Sequence, residues 1–114
     1  MTLIKKNINI NFEVRKGDSF DQTFEFVDCV AGVETPIDLT GSTIDFKVSD
    51  INGVEKITGS TSLTGSPANT INVYINEVST ILYPTTYYYY LQVVGVGSPI
   101  TTDTYITGTF EICE

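Results

Sequence analysis

The side chains in this sequence whose types and spacing most nearly suggest catalysis are acidic residues beside turns. Asp18 and Asp21 lie close together in the chain, and a pair of carboxyl groups can hydrolyse a glycoside as general acid and base. Acids beside a turn are more often solvated or bonded to local amides. The sequence has no histidine, so the commonest general base and triad member is absent. We therefore predict that the protein is not an enzyme.

A second pair of acidic residues, Asp50 and Glu55, is a candidate calcium-binding site. They flank Asn52-Gly53, and carboxylates are preferred ligands of Ca²⁺. The helix-loop-helix calcium loop needs glycine at its sixth position, which this spacing does not provide. Asn-Gly is a strong signal for a hairpin turn. We predict a turn here, and no metal or cofactor in the protein.

The two cysteines, Cys29 and Cys113, are far apart in the chain. They lack the close spacing of a zinc or redox pair, and neither has a neighbouring base. A disulfide between them would close most of the chain. Since the sequence carries no secretion signal, we predict two free thiols.

The net charge of −8 argues against nucleic-acid binding, because an acidic surface repels phosphate. No basic residue follows Lys56, which leaves two alternatives. The acidic surface can simply keep the protein soluble, or the basic N-terminal segment with Lys5 and Lys6 can dock on an acidic neighbour. Residues 1–7 contain no apolar run of signal-peptide length, and no run is long enough to span a membrane. We expect a protein made and kept in the cytoplasm, without a membrane partner.

Alternation of apolar and polar residues predicts the strands that position these side chains. Ile44, Phe46 and Val48 fall on one side of a strand. The same period predicts further strands at 7–14, 20–29, 54–58, 70–76, 87–94 and 101–113. About seven short strands joined by turns predict an all-β fold, a single immunoglobulin-like antiparallel β-sandwich. We place this domain at residues 7–114, after an N-terminal arm at residues 1–6.

Between the strands, the sequence predicts loops at residues 30–35 and 59–69, and one helical turn at residues 77–83. Gly108 lies in the inward phase of the last strand. A glycine at such a position permits a bulge or a close approach of another backbone segment.

Four tyrosines fall on the outward phase of their predicted strands: Tyr74, Tyr88, Tyr90 and Tyr105. Tyrosine is enriched in interfaces because it buries a large area at low entropic cost and keeps a hydroxyl group for bonding. Exposed tyrosines can equally pair across strands and stabilise a sheet without any partner. Both interpretations stay open. Under the first, these tyrosines form a partner interface, with Lys5 and Lys6 of the arm as another docking element.

Several segments, in this order, resemble a small β-sandwich domain of tailed bacteriophages. They are residues 12–20 (Phe-Glu-Val-Arg-Lys-Gly-Asp-Ser-Phe), 24–26 (Phe-Glu-Phe), 36–41 (Pro-Ile-Asp-Leu-Thr-Gly), 87–93 and 108–112. The best-described relative is the N-terminal domain of siphophage baseplate upper proteins, which anchors to the virion and carries receptor-binding proteins. Similar immunoglobulin-like domains decorate phage capsids and tails. The resemblance covers nearly the whole chain and implies a structural protein located in the virion.

Baseplate upper proteins continue past this domain, whereas this sequence ends at Glu114. The resemblance therefore implies a stand-alone module that sits on other virion proteins, with a homo-oligomer possible in the assembled particle. We expect an auxiliary or decoration protein docked on the major capsid protein. A small tail or baseplate adaptor is the alternative. A non-viral adhesion-type sandwich is a more distant alternative, and an enzyme is more distant still.

Overall fold

The computed structural model describes residues 2–4, 8–65, 68–95 and 102–114, with the backbone alone at residues 2–4, 29 and 30. Strands account for most of these residues, and no helix occurs among them. In chain order the strands are β1 (Thr2–Ile4), β2 (Ile8–Asn9), β3 (Phe12–Arg15), β4 (Phe20–Val30), β5 (Val33–Pro36), β6 (Thr43–Ser49), β7 (Glu55–Thr64), β8 (Thr70–Ile75), β9 (Thr86–Val94) and β10 (Thr102–Cys113).

These strands form one mixed sheet that curls around a shared core. Its order is β1-β4-β8-β7-β6-β9-β10-β2, with β3 also on β10 and β5 on β4. The three N-terminal strands pair in parallel, β1 with β4 and both β2 and β3 with β10, so the N-terminal segment joins the two edges of the sheet. The all-β prediction is confirmed. The immunoglobulin-like sandwich is not confirmed, because the strands form one continuous path instead of two separate antiparallel sheets.

The predicted arm is also partly a strand. Residues 2–4 pair with β4, while the rest of the arm, including Lys5 and Lys6, lies outside the described residues. The docking role predicted for those two lysines stays a prediction.

Inward-facing side chains form a core rich in aromatic rings. The Phe20 ring lies 5.0 Å from Phe110, 5.1 Å from Phe12 and 6.0 Å from Phe46, measured between centroids. Such pairs contribute about 0.5–1.5 kcal/mol each beyond their buried area. The alternation is confirmed, because the inward residues that it predicts are buried or pack against the core: Ile8, Ile10, Phe12, Val14, Phe20, Phe24, Phe26, Ile44, Phe46, Val48, Ile71, Val73, Ile75, Tyr87, Tyr89, Leu91, Val93, Ile106, Phe110 and Ile112.

The loop predicted at residues 59–69 is wrong in its first part, which belongs to strand β7. The strand continues to Thr64, pairing first with β6 and then, from Ser60 onward, with β8. It changes partner next to Gly59, where a β-carbon would come within 3.0 Å of the Phe46 ring and 3.1 Å of the Val73 side chain. A glycine therefore lets the strand bend closely over the core. The segment is rich in Ser and Thr, which suit the outward positions of a strand as well as they suit a loop.

The segment predicted as a loop at residues 30–35 is a hairpin instead. Strands β4 and β5 pair antiparallel across a tight turn at Ala31 and Gly32, whose φ angles are 52° and 81°. Two successive residues with positive φ are the requirement of a type I′ hairpin turn. The pairing of β5 was missed because its side chains are all exposed and show no alternation.

The hairpin turn predicted at Asn52-Gly53 is confirmed, and it begins at Asp50. The Asp50 carboxylate accepts hydrogen bonds from the backbone N–H groups of Asn52 at 2.9 Å and Val54 at 3.0 Å. Gly53 has a φ of 81° and donates its N–H to the Asp50 carbonyl at 3.0 Å. The Asp50 side chain therefore organises the turn.

The loop between β8 and β9 does not form the predicted helical turn. It is a series of turns around Thr80, whose side chain is fully buried. The Thr80 hydroxyl donates to the Asp18 carbonyl at 2.8 Å and accepts from the Gly17 N–H at 3.1 Å. These hydrogen bonds to the turn between β3 and β4, rather than those of a helix, hold the loop in place. The sequence pattern does not reveal them.

We expect Thr80→Val to lower the free energy of unfolding by about 1–3 kcal/mol, because the isosteric valine leaves the Gly17 N–H and the Asp18 carbonyl unpaired. Urea unfolding followed by circular dichroism measures the change. Thr43→Val is the matched control, because Thr43 is exposed on β6 and makes no side-chain hydrogen bond within the described residues. Equal midpoints for the two variants would contradict the role given to Thr80.

The N-terminal strand predicted at residues 7–14 is interrupted where it crosses Gly108. Between β2 and β3, the Ile10 N–H donates to the Thr107 carbonyl at 3.0 Å, and a β-carbon on Gly108 would overlap the Ile10 carbonyl oxygen. The close backbone approach predicted at Gly108 is therefore confirmed. This contact seats the N-terminal segment on β10.

Candidate docking face

Strand β9 places its tyrosines on opposite sides of the sheet. Tyr87 and Tyr89 point into the core and are 5% and 3% exposed. Tyr88 and Tyr90 alternate with them on the outer surface, where Tyr88 is 46% exposed and Tyr90 is half-buried. The outward orientation predicted for these two residues is confirmed.

Strands β10 and β2 flank the two outer tyrosines with neutral polar side chains, while on the other side Lys47 of β6 lies opposite Tyr90. On β10, Thr109 lies opposite Tyr88 and Thr107 opposite Tyr90. Strand β2 adds Asn9, which is paired in register with Thr107. Asn11 follows it and accepts a hydrogen bond from the Thr109 N–H at 3.0 Å. We call this surface the docking face, and it consists of Asn9, Asn11, Tyr88, Tyr90, Thr107 and Thr109.

A shallow depression of about 500 Å³ lies within the docking face. Its described lining contains no charged side chain and consists of Asn9, Asn11, Tyr88, Tyr89, Thr107, Gly108 and Thr109. Amide and hydroxyl groups can both donate and accept hydrogen bonds, and a half-exposed ring supplies apolar area beside them. The chemistry suits a neutral polar partner surface.

The docking face is supported from below by Tyr89. Its hydroxyl group donates to the Ile10 carbonyl at 2.6 Å. Burial raises the pKa of Tyr89 well above its usual range, so the hydroxyl stays protonated and keeps this hydrogen bond at any ordinary pH. The segment with Asn9 and Asn11 is thereby fixed to the strand that carries the outer tyrosines.

One edge of the docking face carries an ion pair. On β6, the Lys47 ammonium lies 3.2 Å from the Glu55 carboxylate of β7. Its hydrogen bond to Glu55 raises the pKa of Lys47, while hydrogen bonds from Thr58 and Lys47 lower the pKa of Glu55. Both groups are exposed to water, so the pair contributes little to stability.

Another edge carries the side chains of Glu13, Glu111 and Cys113. Their carboxylate oxygens and thiol sulfur lie within 4.8 Å of one another. Burial and the neighbouring carboxylates raise the pKa of Cys113, which disfavours the thiolate that binds metal. Exposed acids beside a protonated thiol do not define a metal site, and we assign none.

Tyr74 lies away from the docking face, on the other half of the curled sheet. It is 43% exposed on β8, in register with Asp21 of β4 on one side and Ser60 of β7 on the other. The Asp21 carboxylate accepts a hydrogen bond from the Asn72 amide at 2.7 Å, as expected of a solvated acid beside a strand. The outward orientation of Tyr74 is confirmed, but it is not brought together with Tyr88 and Tyr90.

Tyr105 was predicted to face outward, and this is wrong. The pairing of β9 with β10 shifts between Thr104 and Ile106, which inserts one extra residue, a β-bulge. Tyr105 and Ile106 are both buried as a result, at 3% and 0% exposure. The Tyr105 ring packs 5.3 Å from the Phe26 ring. A strict two-residue period cannot anticipate a bulge, so Tyr105 leaves the candidate interface.

Asn9 and Asn11 were not predicted as site residues, although the sequence held a signal for them. Asparagine occurs at positions 7, 9 and 11, the outward phase of the first predicted strand. Such a row of amides on an outer strand face could have been noted as polar contact residues. The sequence could not show that this row lies beside Tyr88, because that depends on the parallel pairing with β10.

Among solved structures, the fold of this chain is similar to that of a domain from a phage protein. The N-terminal domain of phage TP901-1 ORF48 aligns with a TM-score of 0.60 and 11% sequence identity over 100% of both chains. A nucleoside hydrolase-related hypothetical protein from Saccharophagus degradans aligns at a TM-score of 0.39 and 15% identity, covering 90% of this chain and 22% of the other. No family model and no curated protein matches the sequence.

The first of these likenesses establishes a shared fold at full length. It supports the phage-domain resemblance of the sequence, although at 11% identity it says nothing of individual site residues. In the described part of the chain, no helix has the length and apolar composition that crossing a membrane requires.

Proposed function

We propose that this protein is a non-enzymatic structural component of a tailed-phage virion and acts by docking on other virion proteins. The observation that carries the proposal is the alignment of the whole chain with the whole N-terminal domain of phage TP901-1 ORF48. The sequence segments that resemble phage sandwich domains support it independently. The docking face supplies hydrogen-bonding side chains and ring area, the usual composition of an interface.

Within the virion, we propose a position in the tail or baseplate. The sequence resemblance is to the N-terminal domain of baseplate upper proteins, and the structural likeness is again to the N-terminal domain of a phage protein. Both observations favour the adaptor alternative. Docking on the major capsid protein was the first expectation, but no feature of the described residues favours a capsid surface.

We also propose that the curled sheet is a variant of the immunoglobulin arrangement. Two stretches of its order, β1-β4-β8-β7 and β6-β9-β10, match the strand orders of the two immunoglobulin sheets. The Tyr87 hydroxyl donates to the Tyr83 carbonyl at 2.7 Å, which resembles the tyrosine corner of that fold. The added hairpin strand β5 and the pairing of β6 with β7 are departures from it.

Fractionation of purified virions tests the proposed location. Virions are disrupted, tails and capsids are separated on a density gradient, and the protein is quantified in each fraction by mass spectrometry. We expect it in the tail fraction, in far fewer copies than the major capsid protein. Recovery with capsids at near-stoichiometric amounts would favour decoration, and absence from both fractions would contradict a virion role.

A further inference from the structure

The turn between β6 and β7 contains an Asn-Gly pair, a combination that is chemically reactive. The backbone nitrogen of the residue after an asparagine can attack the amide carbon of the asparagine side chain, and a side chain on that following residue obstructs the attack. Asn52 is the only asparagine in the sequence that is followed by glycine, which has no β-carbon to stand in the way. Asn52 is therefore the asparagine most open to this reaction.

Packing does not protect the Asn-Gly pair. Asn52 and Gly53 are exposed, and so are Ile51 and Val54 on either side of them. No atom lies within 4 Å of the position that a β-carbon on Gly53 would take. Water therefore reaches both residues, and the protection that the fold provides comes from the hydrogen bonds of the turn itself.

One of these hydrogen bonds holds the attacking nitrogen. The Gly53 N–H donates to the Asp50 carbonyl at 3.0 Å. The nitrogen becomes a nucleophile only after it has lost this hydrogen. The turn therefore has to open before the reaction can begin.

The Asp50 side chain holds the turn closed on both sides of the Asn-Gly pair. Its Oδ1 atom accepts hydrogen bonds from the Asn52 N–H at 2.9 Å and the Val54 N–H at 3.0 Å. Its Oδ2 atom lies 3.8 Å from the Lys56 ammonium. Hydrogen bonds to an ionised acceptor are stronger than those between neutral groups. The frequency of opening therefore depends on Asp50 more than on any other side chain described in this turn.

We propose that Asn52 is a site of spontaneous deamidation and that Asp50 controls the rate by holding the turn closed. In the open turn, the Gly53 backbone nitrogen gives its proton to hydroxide and attacks the Asn52 side-chain carbonyl carbon. A new carbon–nitrogen bond forms, the bond from that carbon to the side-chain nitrogen breaks, and the nitrogen leaves as ammonia with a proton from water. Water then opens the succinimide ring at either of its carbonyl groups, which leaves aspartate or isoaspartate at position 52. One water molecule is consumed overall, and nothing is oxidised or reduced.

The modification changes both the charge and the turn. Each product adds a carboxylate two residues from Asp50 and makes the net charge of −8 more negative. Isoaspartate also places an extra carbon in the main chain, so the backbone between Asp50 and Val54 no longer has the length that their hydrogen bonds require. The end of the β6–β7 hairpin is then weakened. These effects belong to the isolated protein and do not depend on the proposed virion function.

Mass spectrometry of the aged protein tests the assignment. The purified protein is kept at mildly alkaline pH, where hydroxide removes amide protons faster, and is digested with trypsin at intervals. The peptide of residues 48–56 contains Asn52 and no other asparagine, so its conversion reports the rate at that residue. We expect slow conversion in the folded protein and faster conversion in concentrated urea. Isoaspartate should be among the products, since direct hydrolysis of the side-chain amide gives aspartate alone.

Variants of Asp50 test its control of the rate. Asp50→Ala should convert Asn52 at least about tenfold faster than the wild-type protein, because the hydrogen bonds to a charged acceptor that oppose opening are lost. Asp50→Asn keeps an oxygen acceptor at the same place and should convert at an intermediate rate. Circular dichroism establishes that each variant is folded.

Two controls separate local opening from other causes. Asp45→Ala removes a carboxylate from β6 that makes no side-chain hydrogen bond within the described residues, so it should leave the rate unchanged. Thr80→Val should lower the stability of the whole fold without touching this turn, and it should not accelerate the reaction as Asp50→Ala does. Asn52 left unmodified in urea, aspartate as the sole product, or equal rates for Asp50→Ala and the wild-type protein would each overturn the proposal.

Discussion

Gly108→Ala is expected to lower the free energy of unfolding by at least about 3 kcal/mol, near the upper end of what overpacking of a core costs. The added β-carbon would overlap the Ile10 carbonyl oxygen, which is a backbone atom and cannot rotate away. Relief requires the N-terminal segment to move from β10. That movement breaks the hydrogen bonds from Ile10 N–H to Thr107, from Thr109 N–H to Asn11 and from Tyr89 to Ile10.

Urea unfolding measures the effect, with Gly17→Ala as the control. Gly17 has a φ of 86°, and no atom lies within 4 Å of the position that a β-carbon would take there. This substitution therefore costs about 1–2 kcal/mol of left-handed backbone strain alone. Gly108 has no left-handed φ, so its loss comes from the steric overlap, and we expect it to exceed the loss at Gly17. Equal losses would mean that the N-terminal segment is not held against β10 as described.

The second large effect is expected on docking. Tyr88→Ala combined with Tyr90→Ala should weaken binding to tail particles by about 2 kcal/mol for each tyrosine that lies near the interface centre, which corresponds to about thirtyfold in Kd per residue. The fold should remain, because both side chains point away from the core. The assay is co-sedimentation of the purified variant with tails prepared from phage that lack the protein.

Tyr74→Ala is the control for this experiment. Tyr74 has nearly the same exposure as Tyr88, at 43% against 46%, but lies on the other half of the sheet. Its loss should leave docking unchanged. If the folded double variant binds as tightly as the wild-type protein, the two outer tyrosines serve only to pair with neighbouring strands, the alternative that the sequence left open.

Much of the fold was predictable, because alternation reports directly which side of a strand is buried. Ile71, Val73 and Ile75 are inward as predicted, and so is the β9 set that contains Leu91. Asn52-Gly53 predicted its turn since only a few residue types tolerate the backbone angles there. These signals are local, and each depends on residues close together in the chain.

The errors arose where distant parts of the chain decide the structure. Strand β7 continues past Gly59 because β8 offers a second partner, and polar composition alone could not show that. Tyr105 turns inward because β10 has one residue more than β9 across the bulge. Thr80 replaces a helical turn because the carbonyl of Asp18 and the N–H of Gly17 are there to be bonded.

Two of the six residues of the docking face were predictable for the same reason. Tyr88 and Tyr90 followed from alternation, whereas the position of Asn9 and Asn11 beside them depends on a parallel pairing between the first and last strands. The separation of Tyr74 from Tyr88 depends on which strands lie side by side around the curl. Sequence periodicity contains no information of that kind.

Covalent labelling of tyrosine side chains, read by mass spectrometry on the free protein and on intact virions, tests the central claim most directly. The claim is that the docking face is covered in the particle. We expect Tyr88 to be labelled in the free protein and protected in the virion, with Tyr74 labelled in both. Equal labelling of Tyr88 in the two states would contradict docking through this face.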